Sequence, residues 1–267
     1  MKYKIGFIGA GKMAEALISA ILKSKLSKGI IASDVNNKRL EYIKNKFKIS
    51  VTANNKEIVD KSDIVVIAVK PQIIDDVLEE IKETDKLIVS IAAGITIRHL
   101  ESKLKNARVI RVMPNTPCLV GEMAAGFSKG SKVKDEDIFA VEEILNSAGK
   151  AFYLKEEMLD AVTALSGSGP AFIALLLEWM IEGAKKQGLK EEIAMDLAFQ
   201  TALGTGKLLQ ETGMKPKELV DMVSSPGGTT VAGRKILENS DVREVLIKTI
   251  EAAAKKSKEL GKNEILE

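Results

Sequence analysis

Two stretches of the chain place chemistry-bearing groups at spacings that have a physical meaning. The first is Gly9-Ala-Gly11-Lys12-Met13-Ala14, a G-x-G-x-x-A run between an apolar strand and a helical period. In such a run the first Gly permits a tight turn and the second lets backbone approach a pyrophosphate. A small residue in third place packs helix against strand. The N–H groups and positive dipole of the following helix suit phosphate oxygens. Asp34 lies 25 residues past Gly9. A carboxylate there accepts from an adenosine ribose 2′-hydroxyl, which favours NADH. Asn36, Asn37, Lys38 and Arg39 stand close enough to answer a 2′-phosphate, and Asp34 can equally cap the next turn. The cofactor, NADPH or NADH, stays open.

The second stretch is Ser224-Ser-Pro-Gly-Gly-Thr-Thr230. Pro226 sets one backbone angle, and Gly227 and Gly228 permit a turn. The helix expected over Val231–Leu237 offers free N–H groups that suit a carboxylate. The Thr pair also reads as an ordinary helix N-cap. Ser166-Gly-Ser-Gly-Pro170 has a similar double reading, with Ser168 as a cap or the helix start as the wall of a cleft.

Composition removes other chemistries. The chain has 267 residues, 45% of them apolar, with 40 Lys and Arg against 37 Asp and Glu. A net charge of +3 gives no electrostatic argument for a nucleic-acid or membrane partner. A single cysteine, Cys118, and a single histidine, His99, exclude an intrachain disulfide and a cysteine- or histidine-rich metal site; none is expected. His99 is expected on an exposed helix flank, Cys118 as a small packed residue, and Trp179 as interface core. No leader segment is expected ahead of the first strand. The longest apolar run, Ala171 to Leu177, is far short of the roughly 18–20 residues that span a bilayer. A reducing, cytoplasmic setting is expected.

Strands are expected at Lys4–Ile8, Gly29–Ser33, Asp63–Val69, Leu87–Ala92 and Arg108–Val112, with a further pair near Ala124–Ser128 and Ala151–Leu154. The run Asp63-Ile-Val-Val-Ile-Ala-Val69 reads as a strand buried on both faces. Helices are expected at Asn37–Lys46, Asn54–Asp60, Ile73–Ile81, Ile97–Leu104 and Glu136–Ala148. This alternation is that of an α/β, Rossmann-type doubly wound parallel sheet. From Met158 onward only helices are expected, so the chain divides into a dinucleotide-binding domain, 1–155, and an all-α domain, 156–267. Helix Pro170–Ala184 is apolar nearly all round, which suggests burial against a partner subunit.

Six segments occur in order: Gly6–Ala14, Ala68-Val-Lys-Pro71, Ser90-Ile-Ala-Ala-Gly94, Met113-Pro-Asn-Thr-Pro117, Leu165–Ala171 and Asp221–Thr230. Together they resemble pyrroline-5-carboxylate reductase over nearly the whole chain. The last segment is the most specific, because generic dinucleotide-binding proteins have no use for it. The resemblance implies reduction by NAD(P)H of the C=N bond of Δ1-pyrroline-5-carboxylate to L-proline. It also implies a helical domain that builds an intertwined homodimer, with dimers assembling into a ring such as a decamer. The implied cofactor residues are Gly9, Gly11, Lys12, Met13, Asp34, Asn55, Ala68, Val69, Lys70, Pro71, Ala92, Ala93 and Gly94. Glu156, Gly228, Thr229 and Thr230 would face the substrate, with Thr230 placing its hydroxyl on the ring nitrogen. Lys70 would act through its amine or only through backbone. Two departures stand out: Asp34 where some members carry a hydroxyl residue, and Met222 where some carry an Asn.

A protonated imine is already a good electrophile, so positioning and polarisation carry much of the catalysis. That suits motifs without His, Cys or metal clusters. Two rivals fit less well. β-Hydroxyacid dehydrogenases use a Lys in the first helix of the second domain, and Pro170–Ile181 contains none. A non-catalytic NAD(P) sensor has no need of a carboxylate nest.

Overall fold

Short β-branched runs separated by amphipathic helices wind the first part of the chain into a sheet. The computed structural model describes residues 4–27 and 29–263. In order, the sheet region comprises β1 (Lys4–Ile8), α1 (Lys12–Lys23), β2 (Gly29–Ser33), α2 (Asn37–Phe47), β3 (Ser50–Thr52), α3 (Asn55–Lys61) and β4 (Ile64–Ile67). There follow α4 (Ile74–Glu80), β5 (Leu87–Ser90), α5 (Ile97–Lys103), β6 (Arg108–Met113), β7 (Met123–Lys129), α6 (Asp135–Asn146) and β8 (Gly149–Tyr153). Strand order is β3-β2-β1-β4-β5-β6-β7-β8. All neighbours are parallel except β6 and β7. The doubly wound sheet expected from the sequence is present.

The β4 run explains why the sheet is covered on both sides. Ile64 and Val66 enter one core cluster with Phe7, Leu17 and Ile18, while Val65 and Ile67 enter the other with Ile8, Leu78 and Ile88. Successive strand residues point to opposite faces, so an unbroken apolar run is needed where both faces are buried. Register sets Ile8 level with Ser33 on one side and Ile67 on the other. The carboxyl ends of β1, β2 and β4 therefore share one rim. Strand order reverses between β1 and β4, the place where such sheets bind ligands.

Several boundaries differ from expectation. Edge strand β3 has only three residues, too few to show a period. β4 stops at Ile67 and β5 at Ser90, because the chain beyond each turns into the rim. The expected helix from Ile73 begins earlier, as a tight 3-10 turn on Pro71, and the loop after Met113 winds into another over Thr116–Val120.

After a short turn at Glu156–Met158, the regular elements among the described residues are all helical: α7 (Leu159–Val162), a π-helical turn at Thr163–Gly167, α8 (Gly169–Lys186), α9 (Glu191–Thr212), α10 (Pro216–Met222), α11 (Thr229–Glu238) and α12 (Val242–Asn263). Ser168 keeps helical backbone and donates its N–H to the Thr163 carbonyl at 2.8 Å. It therefore continues the helix instead of capping it. The chain packs as two compact units: one reaches Pro170 and regains the chain from Ala252, and the other is Ala171–Glu251. Local packing explains why the first unit extends so far. Leu159 and Val162 crowd Gly126 of β7, and the Ser257 hydroxyl donates to Asp160 at 2.6 Å.

Within Ala171–Glu251, Ala194 and Ala198 are the only buried side chains among the described residues. Leu175, Trp179, Met180, Leu197, Phe199 and Leu203 are exposed. Apolar surface of that extent marks an interaction face. The helical stretch Glu156–Lys186 is also, by length and apolarity alone, sufficient to cross a bilayer, which the sequence run Ala171–Leu177 did not suggest.

Candidate functional site

The fingerprint loop is built by hydrogen bonds from β1 to the end of β2. Gly9 adopts φ +93 and donates its N–H to the Ser33 carbonyl at 2.9 Å. A Cβ at Gly9 would lie 2.6 Å from the Ala68 carbonyl oxygen, so both conformation and space require glycine. Gly11 is different. It begins α1 with ordinary extended backbone and no side-chain cap, and a Cβ there would meet nothing within 4 Å. The protein itself makes no demand for glycine at 11. What it leaves is an open cradle at a helix N-terminus, beside exposed Lys12 and half-buried Met13. The first helical bond runs from the Glu15 N–H to Gly11, so the N–H groups before it are left for a ligand. These residues fit the pyrophosphate of NAD(P)H.

The other expected cofactor residues lie on the same carboxyl rim. Ala68 and Val69 follow β4 half-buried, Lys70 is exposed, and Pro71 opens the 3-10 turn. After β5, Ala92 is buried, Ala93 is exposed and Gly94 takes φ +84. Asn55 also lies there, but its amide is engaged. It accepts from the Ser33 hydroxyl at 2.7 Å and donates to Glu80 at 2.7 Å. Asp34 caps the next turn and also ties that turn to the fingerprint loop. Oδ1 accepts from the Asn36 N–H at 2.9 Å, as a turn cap does, while Oδ2 accepts from the Ala10 N–H at 2.8 Å.

Sequence reasoning missed Glu15. On α1 it is only 6% exposed, yet it pairs with Arg39 and accepts from Tyr42 and Lys46, each at 2.8 Å. The signal was a carboxylate inside a helix otherwise buried from Ala14 to Ile18, which needs partners. Burial pushes the Glu15 carboxyl up, but hydrogen bonds from Lys46, Arg39 and Tyr42 outweigh it and hold it down to about 2. A carboxyl depressed on folding stabilises above its unfolded value, 4.5, and loses that contribution as pH falls through about 2. Glu15→Gln is therefore expected to cost on the order of 2–3 kcal/mol at pH 7. The difference from wild type should vanish near pH 2. Urea unfolding across that range checks it, and a pH-independent difference would refute the assignment.

Glu156 follows β8. Its Oε1 accepts from the Ile97 N–H at 2.8 Å and from Arg111 at 2.9 Å, while Oε2 takes neither bond. Asn115 of the Met113–Pro117 motif is buried. It donates to the Ser166 carbonyl at 3.0 Å and accepts from the Ala124 N–H at 2.9 Å, tying two of the sequence segments together.

Gly228, Thr229 and Thr230 lie in the second unit. The Gly228 N–H donates to the Ser225 carbonyl at 3.0 Å, and Gly227 takes φ +73. A Cβ at Gly228 would lie 2.7 Å from the Ser225 hydroxyl. The turn thus needs glycine at 227 for its φ, and at 228 a larger residue would press on Ser225. Helix α11 starts at Thr229, two residues before the expected start, with Gly228 as its N-cap. The N-cap reading of the Thr pair is corrected: both threonines sit in the first turn, and a glycine cap offers no side chain to the free N–H groups. The Arg234 Nη1 donates to the Ser224 hydroxyl at 3.3 Å, bracing the turn against α11.

Other expectations fall out as follows. His99 is not on an exposed flank; its side chain is 14% exposed and its Nε2 lies 2.6 Å from Asp75. Cys118 is buried, and burial pushes its thiol up to about 11, leaving it unreactive. Trp179 is 59% exposed on α8.

Residues 156–260 match the family model described as pyrroline-5-carboxylate reductase dimerisation, and residues 4–94 match one described as NADP oxidoreductase coenzyme F420-dependent. The pyrroline-5-carboxylate reductase of Methanosarcina acetivorans is 44% identical over 97% of this chain and 98% of its own. That of Arabidopsis thaliana is 40% identical over 98% of this chain and 96% of its own. Among solved structures, the pyrroline-5-carboxylate reductase from Coxiella burnetii superposes with a TM-score of 0.93 at 35% identity, covering 97% of this chain and 99% of that one. The Plasmodium falciparum pyrroline carboxylate reductase, solved with NADP bound, gives 0.86 at 33%, covering 98% and 99%. An open glycine loop at the head of α1, a glycine-capped threonine turn at the head of α11 and identity maintained over nearly the whole chain place it in the pyrroline-5-carboxylate reductase family.

Proposed function

We propose that the chain reduces Δ1-pyrroline-5-carboxylate to L-proline at the expense of NAD(P)H. The observation that carries this reading is the N-terminus of α11, where Gly228 caps without a side chain and Thr229 and Thr230 occupy the first turn. When bound, NAD(P)H supplies hydride from nicotinamide C4 to the imine carbon. The free N–H groups of α11 hold the substrate carboxylate, and the Thr230 hydroxyl donates to the ring nitrogen as it becomes an amine. Glu156 contributes through Oε2, with Oε1 fixed by Arg111 and Ile97. The cradle at Gly9 and Gly11, with Lys12, Met13 and the ends of β2, β4 and β5, orients the dinucleotide.

The enzyme works as a homodimer through the exposed faces of α8 and α9, and dimers associate further into a ring. Its apolar helices serve that pairing and not a bilayer. A net charge of +3 gives no attraction to nucleic acid, and the buried thiol of Cys118 suits the cytoplasm.

Adding Δ1-pyrroline-5-carboxylate to the purified protein with NADH or NADPH should bleach nicotinamide absorbance in a substrate-dependent way. No oxidation with either nucleotide, in protein that binds one of them, would point to another imine or to a nucleotide sensor.

A further inference from the structure

The dinucleotide differs between its two forms at one point, the adenosine 2′-position. A 2′-hydroxyl needs an acceptor, whereas a 2′-phosphate needs cations and is repelled by a carboxylate. We infer that this chain selects NADH, through Asp34 fixed at the end of β2 and through Glu15, which withholds Arg39 from a 2′-phosphate. This inference rests on the reading of the chain as a dinucleotide enzyme.

Asp34 cannot swing aside. Its two oxygens are tied separately, to the Ala10 N–H at 2.8 Å and the Asn36 N–H at 2.9 Å. Its carboxylate therefore stays beside the fingerprint loop, half-buried at the rim. Val35, next along the chain, is 94% exposed. An apolar side chain that nothing in the protein covers suits the flat face of an adenine.

Arg39 stands on the same turn, and two of its three guanidinium nitrogens are occupied. Nε donates to the Ala10 carbonyl at 2.5 Å and Nη2 to the Gly11 carbonyl at 3.2 Å. The same Nη2 pairs with Glu15 Oε2, and the guanidinium carbon lies 4.9 Å from the centre of the Tyr42 ring. Releasing it would break three hydrogen bonds and leave half of a buried carboxylate without its partner. Lys46 and Tyr42 hold only the other oxygen, Oε1. Arg39 thus shapes the backbone of the phosphate loop, a service equal for both nucleotides, and its Nε and Nη2 are withheld from the one group that distinguishes them. Exposed Lys38 remains as a general attraction, so the result is preference and not exclusion.

Binding can be read without turnover. Purified protein is titrated with NADH and with NADPH, following nicotinamide fluorescence in the absence of substrate. NADPH should bind at least about ten-fold more weakly. Equal or tighter binding of NADPH would overturn the inference while leaving the dinucleotide reading intact; binding of neither would overturn both. Asp34→Ser should bring the ratio of the two dissociation constants close to or below unity, and an unchanged ratio would remove Asp34 from selection. Arg39→Met separates the lock from a phosphate contact. Loss of its loop contacts should weaken both nucleotides alike and leave their ratio within about two-fold. A selective loss of NADPH would show that Arg39 serves the phosphate and would overturn the lock. Glu15→Gln, where it folds, should tighten NADPH about three- to ten-fold with NADH little changed; no selective gain would also count against the lock. Arg39→Met decides the question if that variant does not fold.

Discussion

Thr230→Ala should lower kcat on the order of 100-fold, the usual cost of losing one donor aimed at developing charge. The dissociation constant for NADH should stay within about two-fold, because the cradle for the nucleotide lies in residues 9–94 and Thr230 in α11. The α11 N-terminus survives the substitution, since its cap is Gly228 and not a threonine. Loss of kcat with little change in KM would place the Thr230 hydroxyl in the transition state and the carboxylate grip in the backbone. Steady-state kinetics beside nucleotide titration makes the test, and unchanged turnover would remove Thr230 from the mechanism. Thr230→Ser supplies the control, since it keeps the hydroxyl and should retain most of the activity.

A pair of glycine substitutions should show the second large effect, and they should part company. Gly11→Ala puts a Cβ where nothing in the protein lies within 4 Å, on backbone any residue adopts. The variant should fold with stability within about 0.5 kcal/mol of wild type, yet bind NADH on the order of 100-fold more weakly because the cradle is filled. Gly9→Ala meets the Ala68 carbonyl oxygen at 2.6 Å and a φ of +93. It should cost about 2–4 kcal/mol in stability. Thermal unfolding measured with and without nucleotide separates the two. A Gly11→Ala protein that bound NADH normally would mean that the open space at 11 is not where the pyrophosphate sits.

These contrasts show where local signals were sufficient. The strand–glycine–helix run at 4–23 is written within twenty residues, since each part answers to a short-range rule: tight turn, close packing, free N–H groups. The unbroken Ile64–Ile67 run likewise specifies a strand covered on both faces, whatever covers it. The turn at Ser225–Gly228 is as local, since the φ of Gly227 and the closeness of Ser225 to Gly228 both arise within four residues. Boundaries slipped where a neighbour decided them. The three residues of β3 form a strand only because β2 is beside them, and Ser168 stays helical through its bond to Thr163.

The amino-acid sequence by itself determined the doubly wound sheet, the glycine loop that opens α1, the all-helical second part and the threonine turn, because each is encoded by residues close together in the chain. Tertiary structure decided which charged groups are free. Parallel crossovers carry the chain back to one rim, so Glu15 meets Arg39 and Asp34 meets the Ala10 N–H, while the antiparallel turn of β7 against β6 brings Glu156 to Arg111 and Ile97. From sequence, Arg39 was a candidate for a 2′-phosphate and Glu156 a carboxylate facing substrate. Folding commits the first to Glu15 and half of the second to the sheet. Charge is legible residue by residue, but its availability depends on partners that only the sheet's connectivity brings within hydrogen-bond reach.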